Sequence, residues 1–385
     1  MLIAPDSFSG TLTATQAAEA MATGWRRSAP DDLLSLAPLS DGGPGFLDVL
    51  TTGVVGESVV VTTTGPRGTP VPGALLITDD GGRRTAWLES AQAIGLHLLD
   101  AGERDPGTTS SWGLGELLAA ALAEGVERIV VGLGGSGTND AGAGMLAALG
   151  AGPRDVLGGG GGGLIATREE DLAGLAEVRQ RFAGVELVAA TDVASPLLGL
   201  KGASAVFAQE KGATAEQAQL LEGSLGHFVD VVRRVAPAPL DLLGSEPRRL
   251  EREAGAGAAG GAGYGLLLLG ASRRSGVQVV MEALDLSGLA AAADVVITGE
   301  GTLDQGSLQG EVVAGVAALA AEHATPAVAL AGQVTISRRE AMVLGLSGTY
   351  AVVDRHRDPT AAMADPVGTL ADRAARVAAT WSPRR

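Results

Sequence analysis

The sequence predicts an α/β protein: layers of parallel strands and helices, with a second, mixed domain set into the chain. Three observations predict this. Short, continuously apolar runs that suit strands buried on both faces alternate with stretches at helical spacing. Several of those runs end in glycines and acids, the residue types that gather at ligand-binding strand ends of open α/β sheets. Between residues 54 and 90 the texture changes to short strands joined by turns, and the βα texture returns after about residue 275.

Taken in order, "LIAP" (2–5) is the first strand, followed by a helix from about Thr13 to Ser28. Thr13 and Gln16 have the spacing of a capping box, in which each side chain takes the other's backbone amide. "LLSLAP" (33–38) is a second strand that ends at "LSDGGPG". "VVGESVVVTTTG", "VPGALLITDDGG" and "RRTAWLES" are short strands punctuated by Pro66, Pro70 and Gly73. Further strands are "RIVVGL" (128–133), "VELVAAT" (185–191), "DVVITG" (294–299) and "AVALAG" (327–332). The six glycines 158–163 read as a flexible loop, "EPRRLERE" (246–253) as a solvated helix face, and "TLADRAARVAATW" (369–381) as the last helix. The uncharged run 255–272 reads as a buried helix or glycine loop in preference to a membrane span.

Composition narrows the function classes. The chain has 385 residues, 46% hydrophobic but only 3% aromatic, so its core is built from Ala, Val and Leu. A net charge of −16 argues against nucleic acid as a partner. It also means that an anionic substrate must be held by local cations, backbone amides or a metal. The only lysines are Lys201 and Lys211. With no cysteine and no basic, apolar leader in "MLIAPDSF", the expectation is a cytoplasmic protein without membrane partners. His97, His227, His323 and His356 have no ligand-type spacing and read as ordinary residues. No G-x-S-x-G elbow is present.

The most informative stretch is "RIVVGLGGSGTNDAGAGMLAALG" (128–150). "GLGGSG" fits the dinucleotide pattern, but the acid expected about 20 residues on falls at Asp155, outside any strand. It also approaches a phosphate-binding P-loop, with Thr138 standing at the lysine position. What remains is an anion cradle near a helix start, with Ser136, Thr138 and Asn139 as donors and Asp140 for a metal or a proton. A glycine-rich turn whose polar residues cap a helix stays open as the alternative. Asp6 and Ser7 end the first strand, Asp41, Gly42 and Gly43 the second, Asp192 the strand at 185–191, and Glu300 and Asp304 follow the strand at 294–299. Such acids suit phosphoryl transfer, where one accepts the hydroxyl proton and others hold Mg²⁺. Each is also a residue that bonds its own turn. Lys201 and Lys211 in "KGASAVFAQEKGA" can neutralise a phosphate or carboxylate, or pair with Glu210.

These stretches together resemble the bacterial glycerate kinases that form 2-phosphoglycerate. The resemblance rests on "APDSF", "SDGGPG", "GLGGSGTNDAGAGML", "ATDVASPLLG", "GASAVF" with "QEKGA", "GAGAAGGAG" and "ADVVITGEGTLD", in chain order over nearly the whole length. It implies a Rossmann-like parallel-sheet domain (1–66 plus 275–385), an inserted mixed α/β domain (67–274) and an active cleft between them. It implies ATP and Mg²⁺, with D-glycerate, a small hydroxy acid, as substrate. Carried onto this chain, it implies that Asp6, Ser7, Asp41, Gly42, Gly43, Gly134, Gly135, Ser136, Asn139, Asp140, Asp192, Glu300 and Asp304 line the cleft; the roles we assign there are catalytic for Asp192, Asp41 and Asp140 and metal-holding for Glu300 and Asp304. Substrate or nucleotide contacts then fall to Asp6, Ser7, Gly42, Gly43, Gly134, Gly135, Ser136, Thr138, Asn139, Lys201 and Lys211. Oligomeric state is left open, a homodimer included. Three positions depart from the family's pattern: Ser9 and Glu311 stand where lysine is usual, and Pro44 where glutamate is usual. A non-catalytic or altered-substrate relative that binds a small anion or nucleotide is therefore kept as the alternative.

Overall fold

The computed structural model describes residues 1–8, 10–237, 247–309, 311–354 and 358–382. Ser9 and His356 lie outside the described residues. In chain order the first strands are β1 (Leu2–Ile3), β2 (Ser35–Leu36), β3 (Gly56–Thr64), β4 (Pro70–Asp80), β5 (Arg83–Glu89), β6 (Arg128–Gly132) and β7 (Glu186–Ala190). They are followed by β8 (Ser272–Arg274), β9 (Val296–Thr298), β10 (Thr302–Leu303), β11 (Ala327–Ala331), β12 (Gln333–Val334) and β13 (Leu346–Ala351). The α/β class expected from the alternation is what the chain adopts.

The chain divides into two compact units. The first comprises Met1–Asp41, Asp48–Val54 and Val277–Arg385. Its sheet is fully parallel, in the order β13-β11-β9-β1-β2. The helix Ala14–Ser28 begins at Thr13 with the reciprocal Thr13–Gln16 capping box that the spacing predicts. It buries Ala17, Met21 and Trp25, a stripe at helical spacing, in a core shared with Ile3, Ile297, Val328 and Val377. Helix Pro366–Trp381 lies so close that a Cβ on Gly24 would stand 1.9 Å from the Ala371 carbonyl oxygen. Gly24 is there because two backbones meet.

The second unit comprises Gly42–Leu47 and Val55–Gly276. Its six-stranded sheet runs β3-β4-β5-β6-β7-β8, with β3, β4 and β5 antiparallel and β5 to β8 parallel. The mixed texture read between residues 54 and 90 is this antiparallel edge. The core is Leu, Val and Ala with few rings: Leu75, Leu88, Leu117, Ile129, Val131, Leu146, Phe228 and Tyr264 are all buried in it.

Two local expectations need correction. The glycine run 158–163 is packed: a Cβ on Gly161 would lie 2.1 Å from the Asn139 carbonyl oxygen, and Gly161–Ala166 forms a 3-10 turn. Gly158, Gly160 and Gly161 are there for close approach, while Gly159 and Gly163 are exposed. In "EPRRLERE" the described part is a 3-10 turn, Leu250–Arg252, and Glu251 is buried and paired with Arg233. Arg248, Arg249 and Arg252 are exposed, so Glu251 alone departs from the solvated reading, and the helix is replaced by the turn. Among the described residues no helix is long and apolar enough to cross a membrane, and the uncharged run holds a largely buried helical segment, Ala258–Leu268, broken at Ala259–Gly261 by positive φ.

Candidate active site

In the first unit, parallel pairing lines up the strand ends that carry acids. The Asp6 amide donates to the Gly299 carbonyl at 2.8 Å, and the Leu39 amide to the Pro5 carbonyl at 2.9 Å. Asp6 is thereby set beside the turn that carries Glu300 and the one that carries Asp41. Burial, reinforced by Asp41 and then by Glu300 and Glu311, pushes the Asp6 carboxyl up to about 8, against a hydrogen bond from the Ser7 amide at 2.6 Å. Burial likewise pushes Glu300 up to about 7; Ser7's counterpart there is Ser307, whose hydrogen bond opposes the shift, while Glu311 and Asp304 add to it. Glu300 is 8% exposed, and its Oε1 is buried without a hydrogen-bond partner. Every charged group that shifts Asp6 or Glu300 is itself an acid. Asp304 is exposed, and its Oδ1 accepts from the Gly306 amide at 2.7 Å, closing its own turn.

In the second unit the two glycine loops meet. A Cβ on Gly134 would stand 2.6 Å from Gly43 Cα, one on Gly135 2.5 Å from the Pro44 ring, and one on Gly42 2.5 Å from the Ala190 carbonyl oxygen. Gly42, Gly43, Gly134 and Gly135, expected at one site from distant parts of the chain, are therefore neighbours. Gly135 has φ +59° and is exposed; Gly134 is half-buried. From Ser136 to Asp140 the loop is buried. Asp192 follows β7 and is half-buried, and its carbonyl accepts from Arg273.

Asp140 is 0% exposed. Its Oδ2 accepts from the Ser111 amide and hydroxyl, both at 2.8 Å, and from the Gly144 amide at 3.2 Å; its Oδ1 accepts from the Gly142 amide at 3.1 Å. Burial raises its pKa and these donors oppose the shift. The helix that follows, Ala143–Ala148, is only six residues long. The anion that the spacing places at its start is supplied by the chain itself. Thr138 and Asn139 are also 0% exposed, and the Asn139 amide donates to Ser204 Oγ at 2.9 Å.

The two lysines part company. Lys201 is exposed, whereas Lys211 is 3% exposed and donates to Ser136 Oγ and the Thr138 carbonyl, both at 2.9 Å. Neither the pairing of Lys211 with the loop nor its burial is visible in a stretch where both lysines look alike.

Sequence reasoning missed several residues that hold this site. Glu89, at the end of β5, accepts from the Gly45 amide at 3.1 Å and the Leu47 amide at 3.2 Å, clamping the loop after Asp41. Thr109 donates to the Gly137 carbonyl at 2.8 Å, and Ser111 Oγ accepts from the Met145 amide at 2.9 Å. In "GAGAAGGAG", Ala259, Gly260 and Gly261 all have positive φ, and a Cβ on Gly260 would stand 1.8 Å from the Thr138 carbonyl oxygen. That motif is a tight backing for the 138–141 turn. The one available signal was that two glycine-rich strings, otherwise unexplained, occur in a chain of Ala and Leu.

The acids of the first unit fit a divalent cation on the chemistry of their donors. They are oxygen ligands in mutual repulsion, with one buried carboxylate oxygen unmatched. Among the described residues no group of three or more His, Asp or Glu is placed so that it could hold a metal ion by itself. Magnesium does not require one, because it keeps water and takes only one or two carboxylates besides substrate phosphates.

Comparison with known proteins gives the family. The sequence profile of the glycerate kinase family matches residues 1–382. The chain belongs to the glycerate kinase family. It is 39% identical over 358 residues to the glycerate kinase of Bacillus subtilis (strain 168), covering 92% of this chain and 90% of that one. It is 37% identical over 340 residues to the glycerate 2-kinase of Escherichia coli (strain K12), covering 87% and 85%. A crystal structure from Salmonella typhimurium LT2, described as a glycerate kinase 2, superposes with a TM-score of 0.75 at 37% identity, covering 98% of this chain and 97% of that one.

Proposed function

We propose that this glycerate-kinase-family chain transfers the terminal phosphoryl group of ATP to a hydroxyl of D-glycerate in a magnesium-dependent reaction. The observation that carries the reading is the acid group of the first unit, with Asp6 and Glu300 both held far above ordinary carboxylates and the Glu300 Oε1 unmatched. Perturbed acids of this kind cluster at functional sites. Glu300 and Asp41 would hold magnesium, with Asp6 beside them and Asp304 adding charge from the exposed turn. When bound, the ion supplies neutralisation of the charge on the transferred group.

The chain's own groups do the rest. Asp192 accepts the proton of the attacking hydroxyl. Gly134 and Gly135 let phosphate oxygens approach the backbone, and their neighbours Gly42 and Gly43 receive the acid substrate. In a chain of net charge −16, such local donors are needed to hold an anion at all. Asp140 anchors the loop from inside. An ATP-dependent step suits the cytoplasm, the compartment expected for a chain without cysteine.

The test is ADP release that depends on both D-glycerate and Mg²⁺, and its loss in Asp192→Asn with an unchanged melting temperature. A fully active Asp192→Asn removes that residue from the role. A second reading, a non-catalytic anion or nucleotide binder, is favoured by Glu311. This residue is half-buried and adds negative charge to both Asp6 and Glu300. It predicts a ligand-induced rise in melting temperature with no turnover on the same preparation.

A further inference from the structure

Lys211 is a buried ammonium, and a buried charge is costly unless it is paired and hydrogen-bonded. Among the described residues no carboxylate forms an ion pair with it; its Nζ is bonded to Ser136 Oγ and the Thr138 carbonyl, each at 2.9 Å. Those two acceptors flank Gly137 in the loop whose outer residues are Gly134 and Gly135. The same turn is also held by Thr109 on the Gly137 carbonyl and by the close approach of Gly260 to the Thr138 carbonyl. Within this network Lys211 is the only member that carries a positive charge.

We propose that Lys211 is a positioning residue for the reaction: it braces the glycine loop from its buried side, fixes Gly134 and Gly135 for an incoming anion, and does not itself touch a substrate. The proposal rests on the phosphoryl-transfer reading for its kinetic consequence, but the brace itself is a property of the ligand-free chain. Burial pushes the ammonium down to about 8, while Glu210 and Asp140 pull it the other way. Arg104 also passes close by, its carbonyl oxygen 2.3 Å from where a Cβ on the neighbouring Gly212 would stand. Loss of the proton replaces two charge-assisted bonds with weaker neutral ones, so the brace loosens as pH rises through that value.

The test uses the full-length chain and its Lys211→Met and Ser136→Ala variants. Hydrogen exchange at the 134–139 amides, measured without ligand at pH 7, is expected to be at least tenfold faster in Lys211→Met than in the wild type. KM for ATP is expected to rise tenfold or more, with a smaller change in kcat. The wild type is expected to lose kcat/KM for ATP above an apparent pKa near 8, and Lys211→Met to lack that limb. In the double variant, the effects on KM are expected to be less than multiplicative, because both act through one bond. Unchanged exchange in Lys211→Met overturns the brace, and multiplicative effects in the double variant overturn its action through Ser136. If the wild type shows no turnover, the kinase reading fails, and the exchange comparison still decides the brace.

Discussion

The two units treat charge in opposite ways. In the first, Asp6 and Glu300 are pushed together with other acids, and Glu300 Oε1 is buried without a donor. In the second, Asp140 is wholly buried but takes four donors, and Lys211 is buried but holds two acceptors. The difference separates buried charges that the chain leaves in mutual repulsion from buried charges that it satisfies with its own donors and acceptors. A charge matched within the chain is scaffold; a buried carboxylate left among its like marks a candidate functional site.

The largest expected effect is in the first unit. Glu300→Gln and Asp6→Asn should each lower kcat by about 10²–10³-fold, the scale for loss of one group that stabilises transition-state charge. Their melting temperatures at pH 8 in EDTA should be unchanged or higher, because a repelling buried charge has been removed. A marked fall in stability would move these acids to the scaffold and break the comparison.

Asp140→Asn should do the reverse first. It weakens charge-assisted bonds in a fully buried network, so stability should fall by about 1–3 kcal/mol, with activity lost as the loop loosens. A stable but inactive Asp140→Asn would put Asp140 in contact with substrate.

The pH dependence follows from the raised acids. A carboxyl whose pKa is higher folded than unfolded contributes stability that is fully present below the unfolded value and lost as pH rises through the folded one. Stability in EDTA should therefore decline between about pH 4 and pH 8 through Asp6 and Glu300, the window set by their ordinary values and by about 8 and about 7. Urea unfolding at several pH values checks this, and Asp6→Asn should flatten the decline. The smallest effect is expected for Glu89→Gln, about 0.5–1.5 kcal/mol from weakened bonds to Gly45 and Leu47, read in the same urea series.

What the sequence made legible was local or periodic. The Thr13–Gln16 box reads directly because both partners lie within one turn. The strands ending before Asp6, Asp41, Asp192 and Glu300 read from their apolar runs, and the same runs place glycines 42–43 and 134–135 at strand ends. Roles set by long-range contacts did not read. Lys211 meets Ser136 across 75 positions, and nothing near either residue marks the pairing. Asp140 looked available because its spacing to the next helix is that of a ligand-binding acid, while the donors at Ser111 lie 29 positions away. The glycines at 158–163 looked loose because composition does not report which backbone passes within 2.1 Å of a would-be side chain.

The most direct measurement is the melting temperature at pH 8 with and without MgCl₂, for the wild type and Glu300→Gln. If the acids of the first unit await a cation, magnesium raises the wild-type melting temperature, and the rise is lost in the variant. An equal rise in both proteins, or none in the wild type, would contradict the account.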